Sequence, residues 1–96
     1  MTKRNTKDAY EHIASTLQFH IRGYSDVESD IVMSIHIERA LQKLKDAYPE
    51  IEKLIELKYY EELTQEEMCE ITGLNRQVLR TRIRKGEDQI REYLEH

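Results

Sequence analysis

Residues 74–86 carry five basic side chains, Arg76, Arg80, Arg82, Arg84 and Lys85, and no acidic one, whereas residues 46–70 carry nine acidic and two basic. Only one surface of the protein should therefore tolerate a phosphate backbone. Arginine takes guanine O6 and N7 together, and glutamine pairs with adenine N6 and N7, so this segment holds side chains suited to reading base edges. At about 100° per residue, Arg76, Gln77, Arg80, Thr81 and Arg84 fall on one arc of a helix, while Leu79, Ile83, Gly86 and Ile90 fall on another. One arc is expected to pack and the other to be presented. Arg76, Gln77, Arg80 and Thr81 are the candidates for base edges, and Arg82, Arg84, Lys85 and the helix start at Thr64 and Gln65 are the candidates for phosphate. Asn75, as N-cap of the basic helix, belongs to the same DNA-binding set. The plainer alternative is a solvated arginine face paired with nearby glutamates.

Other residues invite chemistry without supporting it. His12, His20 and His36 have no second histidine three or four positions away and no carboxylate completing a ligand set, so no metal or other cofactor is expected. Glu61-Glu62 and Glu66-Glu67 resemble paired catalytic carboxylates, but they stand beside a helix start, where acids serve capping and the dipole. The expectation is a protein that is not an enzyme. Cys69 has no cysteine to pair with and is read as a small residue in a tight corner. Fifteen Lys and Arg against nineteen Asp and Glu give a net charge of −4, which argues against indiscriminate coating of nucleic acid or anionic lipid. No apolar run reaches the eighteen or so residues of a membrane span, and no signal-peptide core follows Met1, so a cytoplasmic protein is expected.

The elements that must hold the basic arc are helices. At 96 residues, with 39% hydrophobic and 35% charged residues, three Gly and one Pro, the chain is the size of one helix-rich domain. Residues 1–6 read as a disordered end. Ala9, Ile13, Leu17 and Ile21, with Tyr10 beside them, form one stripe over 7–21, closed by Gly23. Ser25 and Glu28 have capping-box spacing and open a second helix, which carries Val27, Ile31 and Ile35 on one edge and Ile37, Leu41, Leu44 and Tyr48 on the other. Pro49 ends it near Ala47 and starts a third helix over 50–60, burying Ile51, Leu54, Ile55 and Leu57. Thr64 and Glu67 form a second capping box, with Leu63 and Met68 at staple spacing, for a short helix over 65–72. Gly73 breaks that helix, Leu74 fills the corner with Leu79, and Met68 and Ile71 are expected to face the core. Nothing alternates with period two. The expected fold is all-α, a small bundle of about five helices with a C-terminal helix-turn-helix, divided into a 7–48 helical part and a 49–94 helix-turn-helix part.

The run Tyr59-Tyr60-Glu61-Glu62-Leu63-Thr64-Gln65-Glu66-Glu67-Met68, with Gly73-Leu74-Asn75 and Arg80-Thr81-Arg82-Ile83, resembles region 4 of the sigma-70 family, over about residues 40–94. The resemblance implies that residues 38–62 support the helix-turn-helix and face RNA polymerase. It also implies that the last helix reads the −35 promoter element through Arg76, Gln77, Arg80 and Thr81. Two features depart from the family: Cys69 stands where alanine is common, and residues 7–36 have no recognisable counterpart of the promoter-melting region 2. Sigma-like regulators of phage and mobile elements, with divergent helical N-terminal halves, are the nearest resemblance.

These readings imply a sequence-specific transcription regulator that binds double-stranded DNA with RNA polymerase or a sigma-related partner, or as a homodimer. Tyr10, Ile13, Leu17, Ile21, Ile31 and Ile35 are the expected partner or dimer surface, because their apolar area exceeds what so small a bundle needs. A homodimer would read an inverted repeat with half-sites about 34 Å apart. Two rival classes share the pattern: an anti-sigma or sigma-partner module facing protein instead of DNA, and the DNA-packaging small subunit of a phage terminase.

Overall fold

The computed structural model of the protein describes the backbone of residues 6–17 and 26–95 and the side chains of 8–17 and 34–94. The described residues form an all-α bundle of five helices: α1 Thr6–Leu17, α2 Asp26–Ala47, α3 Pro49–Tyr59, α4 Gln65–Thr72 and α5 Arg76–Glu95. No strand occurs among the described residues. None of their helices is long and apolar enough to cross a membrane.

Local sequence sets each junction. Pro49 occupies the first turn of α3, where its missing N–H would have no helical partner, and Tyr48 between the helices takes φ −140° and ψ 71°. Its carbonyl accepts the N–H groups of Ile51 and Glu52 at 3.1 and 3.0 Å. After α3, Glu62 turns left-handed at φ 53°, and the Leu63 N–H returns to the Leu57 carbonyl at 3.1 Å. The Thr64–Glu67 capping box is formed in both directions, at 3.1 and 2.9 Å. Gly73 caps α4 at φ 75°, a conformation open to glycine without steric cost. Asn75 Oδ1 then accepts the Val78 N–H at 2.9 Å, starting α5.

The core joins four of the expected stripes. Ala9, Ile13 and Leu17 of α1 are buried, as are Ile37, Leu41 and Leu44 of α2 and Ile51, Leu54, Ile55 and Leu57 of α3. Leu79, Ile83 and Ile90 of α5 close it, and α5 packs on both α2 and α3. Gly86 stands at a close approach of α5 to α3, where a β-carbon would lie 2.7 Å from Ile51 Cγ2. Ile71 departs from expectation: it is 64% exposed, because α4 turns Met68 inward with Cys69 and Thr72 partly covered beside it.

The partner-surface expectation needs correction at three residues. Tyr10, Ile13 and Leu17 are 8%, 0% and 5% exposed, covered by this chain's own helices, since α1 packs on α2 and α3. Of the remaining three, Ile35 is exposed, Ile21 lies outside the described residues, and so does the side chain of Ile31. The Ser25–Glu28 box, the Gly23 stop and His20 also fall outside them.

Candidate nucleic-acid interface

The presented arc of α5 forms one wall of an open groove of about 1000 Å³. Arg76, Gln77, Arg80, Thr81 and Arg84 lie along that wall, and Gln65 faces them from the first turn of α4. Six of the ten expected DNA-binding residues thus share one concave surface. They reach it because Leu79, Gly86 and Ile90 are drawn into the core, with Ile83 buried beside the groove it helps to line, which leaves the arginine side chains in solvent. At 20 residues, α5 is about 30 Å long, and an α-helix with its side chains matches the roughly 12 Å width of a DNA major groove.

The other four expected residues are placed differently. Thr64 and Asn75 are capping residues whose side-chain oxygens each accept a backbone N–H, from Glu67 and Val78 respectively. Arg82 and Lys85 are exposed but do not line the groove. Lys85 instead sets its ammonium 4.3 Å from the centre of the Tyr48 ring, a cation–π contact tying α5 to the junction of α2 and α3. The start of α4 is also less inviting to phosphate than a bare helix N-terminus, because Glu66 and Glu67 already occupy its first turn.

Of the groove residues outside the expected set, four are charged: Lys58, Glu87, Asp88 and Arg91. Arg91 stands seven positions after Arg84, two full helical turns, so the arc that selected Arg84 extends to it. Lys58 belongs to α3, and no spacing rule links it to residues so far along the chain. The groove therefore holds five cations, Lys58, Arg76, Arg80, Arg84 and Arg91, against the two carboxylates of Glu87 and Asp88.

The cations differ in how far they are engaged. Arg76 Nη2 lies 3.8 Å from Glu66 Oε1, with both side chains mostly exposed, a pairing worth at most about 1 kcal/mol in water. Arg91 bonds Asp88 on its own helix at 3.2 Å. Lys58 Nζ donates to Glu87 Oε2 at 2.6 Å, and the same oxygen accepts the Tyr59 hydroxyl at 2.5 Å. Burial pushes the Tyr59 hydroxyl above its ordinary pKa, and bonding to Glu87 adds to the shift, so it stays a donor at every physiological pH.

Comparison with protein-family models, curated proteins and solved structures finds no match to this chain. The groove is accordingly read from its own residues. Among the described residues no group of three or more His, Cys, Asp or Glu is arranged to hold a metal ion. His12 packs its ring edge-on to Tyr59 with centroids 4.8 Å apart, and His36 is exposed on α2. Cys69 is partly buried and packed against the core.

Proposed function

We propose that the protein is a sequence-specific binder of double-stranded DNA that regulates transcription, and not an enzyme, using α4 and α5 as a helix-turn-helix. The observation that carries this reading is the convergence of Gln65, Arg76, Gln77, Arg80, Thr81 and Arg84 on one open groove wall. Those are the side-chain types that pair with guanine and adenine edges in the major groove, and the wall has an excess of positive charge in a protein of net charge −4. The left-handed Gly73 turn, the Asn75 cap and the Leu79 anchor support a fixed pose of α5 relative to α4. By its resemblance to sigma region 4, the protein acts at promoters with RNA polymerase or a sigma-related partner, or as a dimer, in the cytoplasm.

Selection of bound duplexes from a random pool, followed by footprinting on the enriched sequence, tests the proposal. Enrichment of a defined motif, protected from cleavage in the major groove, supports it. Recovery of no motif at any salt concentration refutes DNA readout. A motif found at a DNA-packaging start rather than at promoters would assign the protein to the terminase class.

A further inference from the structure

Lys58 and Glu87 make the closest ion pair described in the groove, and neither belongs to the helix start where bases are expected to be read. Lys58 lies in the last turn of α3, whereas Glu87 stands on α5 three residues beyond Arg84. The Lys58 side chain is 34% exposed and that of Glu87 17%, so the pair is shielded from water more than the Arg76–Glu66 contact, at 61% and 83%. Glu87 is also fixed from behind by the hydroxyl of Tyr59, whose side chain is fully buried. A carboxylate held by a buried donor is an ordered partner, and the lysine bonded to it gives up freedom to reach elsewhere.

Resting on the DNA-binding reading above, we infer that Glu87 restrains Lys58 from the DNA backbone and so limits the sequence-independent part of binding. A phosphate contact adds affinity equally on every sequence and adds no discrimination. The groove without Lys58 keeps three arginines, Arg76, Arg80 and Arg84, near its reading end, and neutralises its far end through Lys58–Glu87 and Arg91–Asp88. Glu87 is thereby a positioning residue that sets the overall strength of DNA binding through Lys58 and touches no base. Loss of its charge, with the Tyr59 bond retained, releases one cation towards phosphate.

The test is a double-mutant cycle of Glu87→Gln and Lys58→Met in the full chain, read as the dependence of DNA affinity on salt. Glutamine still offers Tyr59 an acceptor oxygen. Expected for Glu87→Gln alone is tighter binding to specific and random duplexes alike, roughly three- to tenfold near 0.1 M salt, with the log–log salt slope steeper by about one phosphate. In the Lys58→Met background the same Glu87→Gln change should leave that slope where it was. Equal steepening in both backgrounds would mean that Glu87 acts only as a general negative charge, and would overturn the inference. Weaker binding by Glu87→Gln would overturn it as well. A second measurement needs no mutation: with 13C-labelled lysine side chains, the Lys58 signal of the wild-type protein should stay in place as specific duplex is added. A Lys58 signal that moves at saturation would show that it already contacts phosphate. Failure of the wild-type protein to bind any duplex is a separate outcome, which removes the DNA reading itself.

Discussion

Gly86 of α5 lies so close to Ile51 of α3 that a β-carbon on it would sit 2.7 Å from Ile51 Cγ2 and 3.1 Å from two carbons of Ile55. Two helices can approach this closely only where one offers no side chain. Alanine favours a helix interior over glycine by about 1 kcal/mol, yet forcing a methyl into packed core costs about 1–3 kcal/mol, and at 2.7 Å the crowding should win. Gly86→Ala is expected to lower the melting temperature by several degrees. Combined with Ile51→Ala, itself a destabilising core truncation, the total loss should be smaller than the sum of the two single losses, because the atom that is struck is gone. Additive losses in the two variants would show that the contact is not the cause.

Gly73 poses the opposite case, since its φ is 75° and nothing lies within 4 Å of where its β-carbon would be. Only the backbone resists substitution there, at a cost of roughly 1–2 kcal/mol for a β-carbon in the left-handed region. The expected order of stability in thermal melts is glycine, asparagine, alanine, then valine, with asparagine mildest because it tolerates that region. Equal melts for all four would mean that the turn relaxes to another conformation at no cost.

The contrast between these glycines marks what can be read from the chain alone. Helix ends were legible because their causes are local: Pro49, the Thr64–Glu67 box and the Asn75 cap each act within four residues and sit where expected. The wall of the groove was legible because it is one helix read at one period. Ile71 was misplaced because a helix of eight residues has too few apolar positions to choose between Ile71 and the pair Cys69 and Thr72; its direction is set by how α4 meets α5. The stripe of Tyr10, Ile13 and Leu17 was correctly apolar but assigned to the wrong neighbour, since periodicity gives a face and not the identity of what covers it. Lys58 and Glu87 were silent for the same reason, being 29 residues apart on different helices.

Glu52 makes stability depend on pH. It is 7% exposed and lines a cleft of about 200 Å³ with Tyr10 of α1, Glu38 and Lys45 of α2, Glu56 of its own helix and Tyr60, which caps that helix. Burial first, then a side-chain hydrogen bond with Glu56 and that residue's charge, raise its pKa from 4.5 to about 7 against the opposing charges of Lys45 and Lys53. The folded state therefore holds a proton that the unfolded chain has released. Its contribution is fully present below about pH 4.5 and is lost as pH rises through about 7. One pKa unit corresponds to about 1.4 kcal/mol, and since the cleft admits water a loss of about 1–2 kcal/mol across that window is expected. Melting temperatures of Glu52→Gln from pH 5 to pH 8 should fall less than those of the wild type. Parallel curves would exclude Glu52 as the source.

The two flanks of α5 should respond differently to loss of charge. Arg80 lies on the groove wall beside Gln77 and Thr81, whereas Arg82, two residues on, is exposed outside the groove. A bidentate contact to guanine contributes about 1–3 kcal/mol of discrimination, so Arg80→Ala should relax preference at one or two base pairs of the selected motif. Arg76→Ala should act in the same way, at a neighbouring position. Arg82→Ala should leave the motif unchanged and weaken all duplexes by the same factor, with a salt slope shallower by at most about one phosphate. Competition binding against single-base variants of the motif separates the two behaviours, because a lost base contact flattens the penalty at its own position alone. If Arg82→Ala changed the preferred sequence and Arg80→Ala did not, the groove would be the wrong face, and the surface carrying Arg82, Lys85 and Tyr48 would be the one that meets DNA.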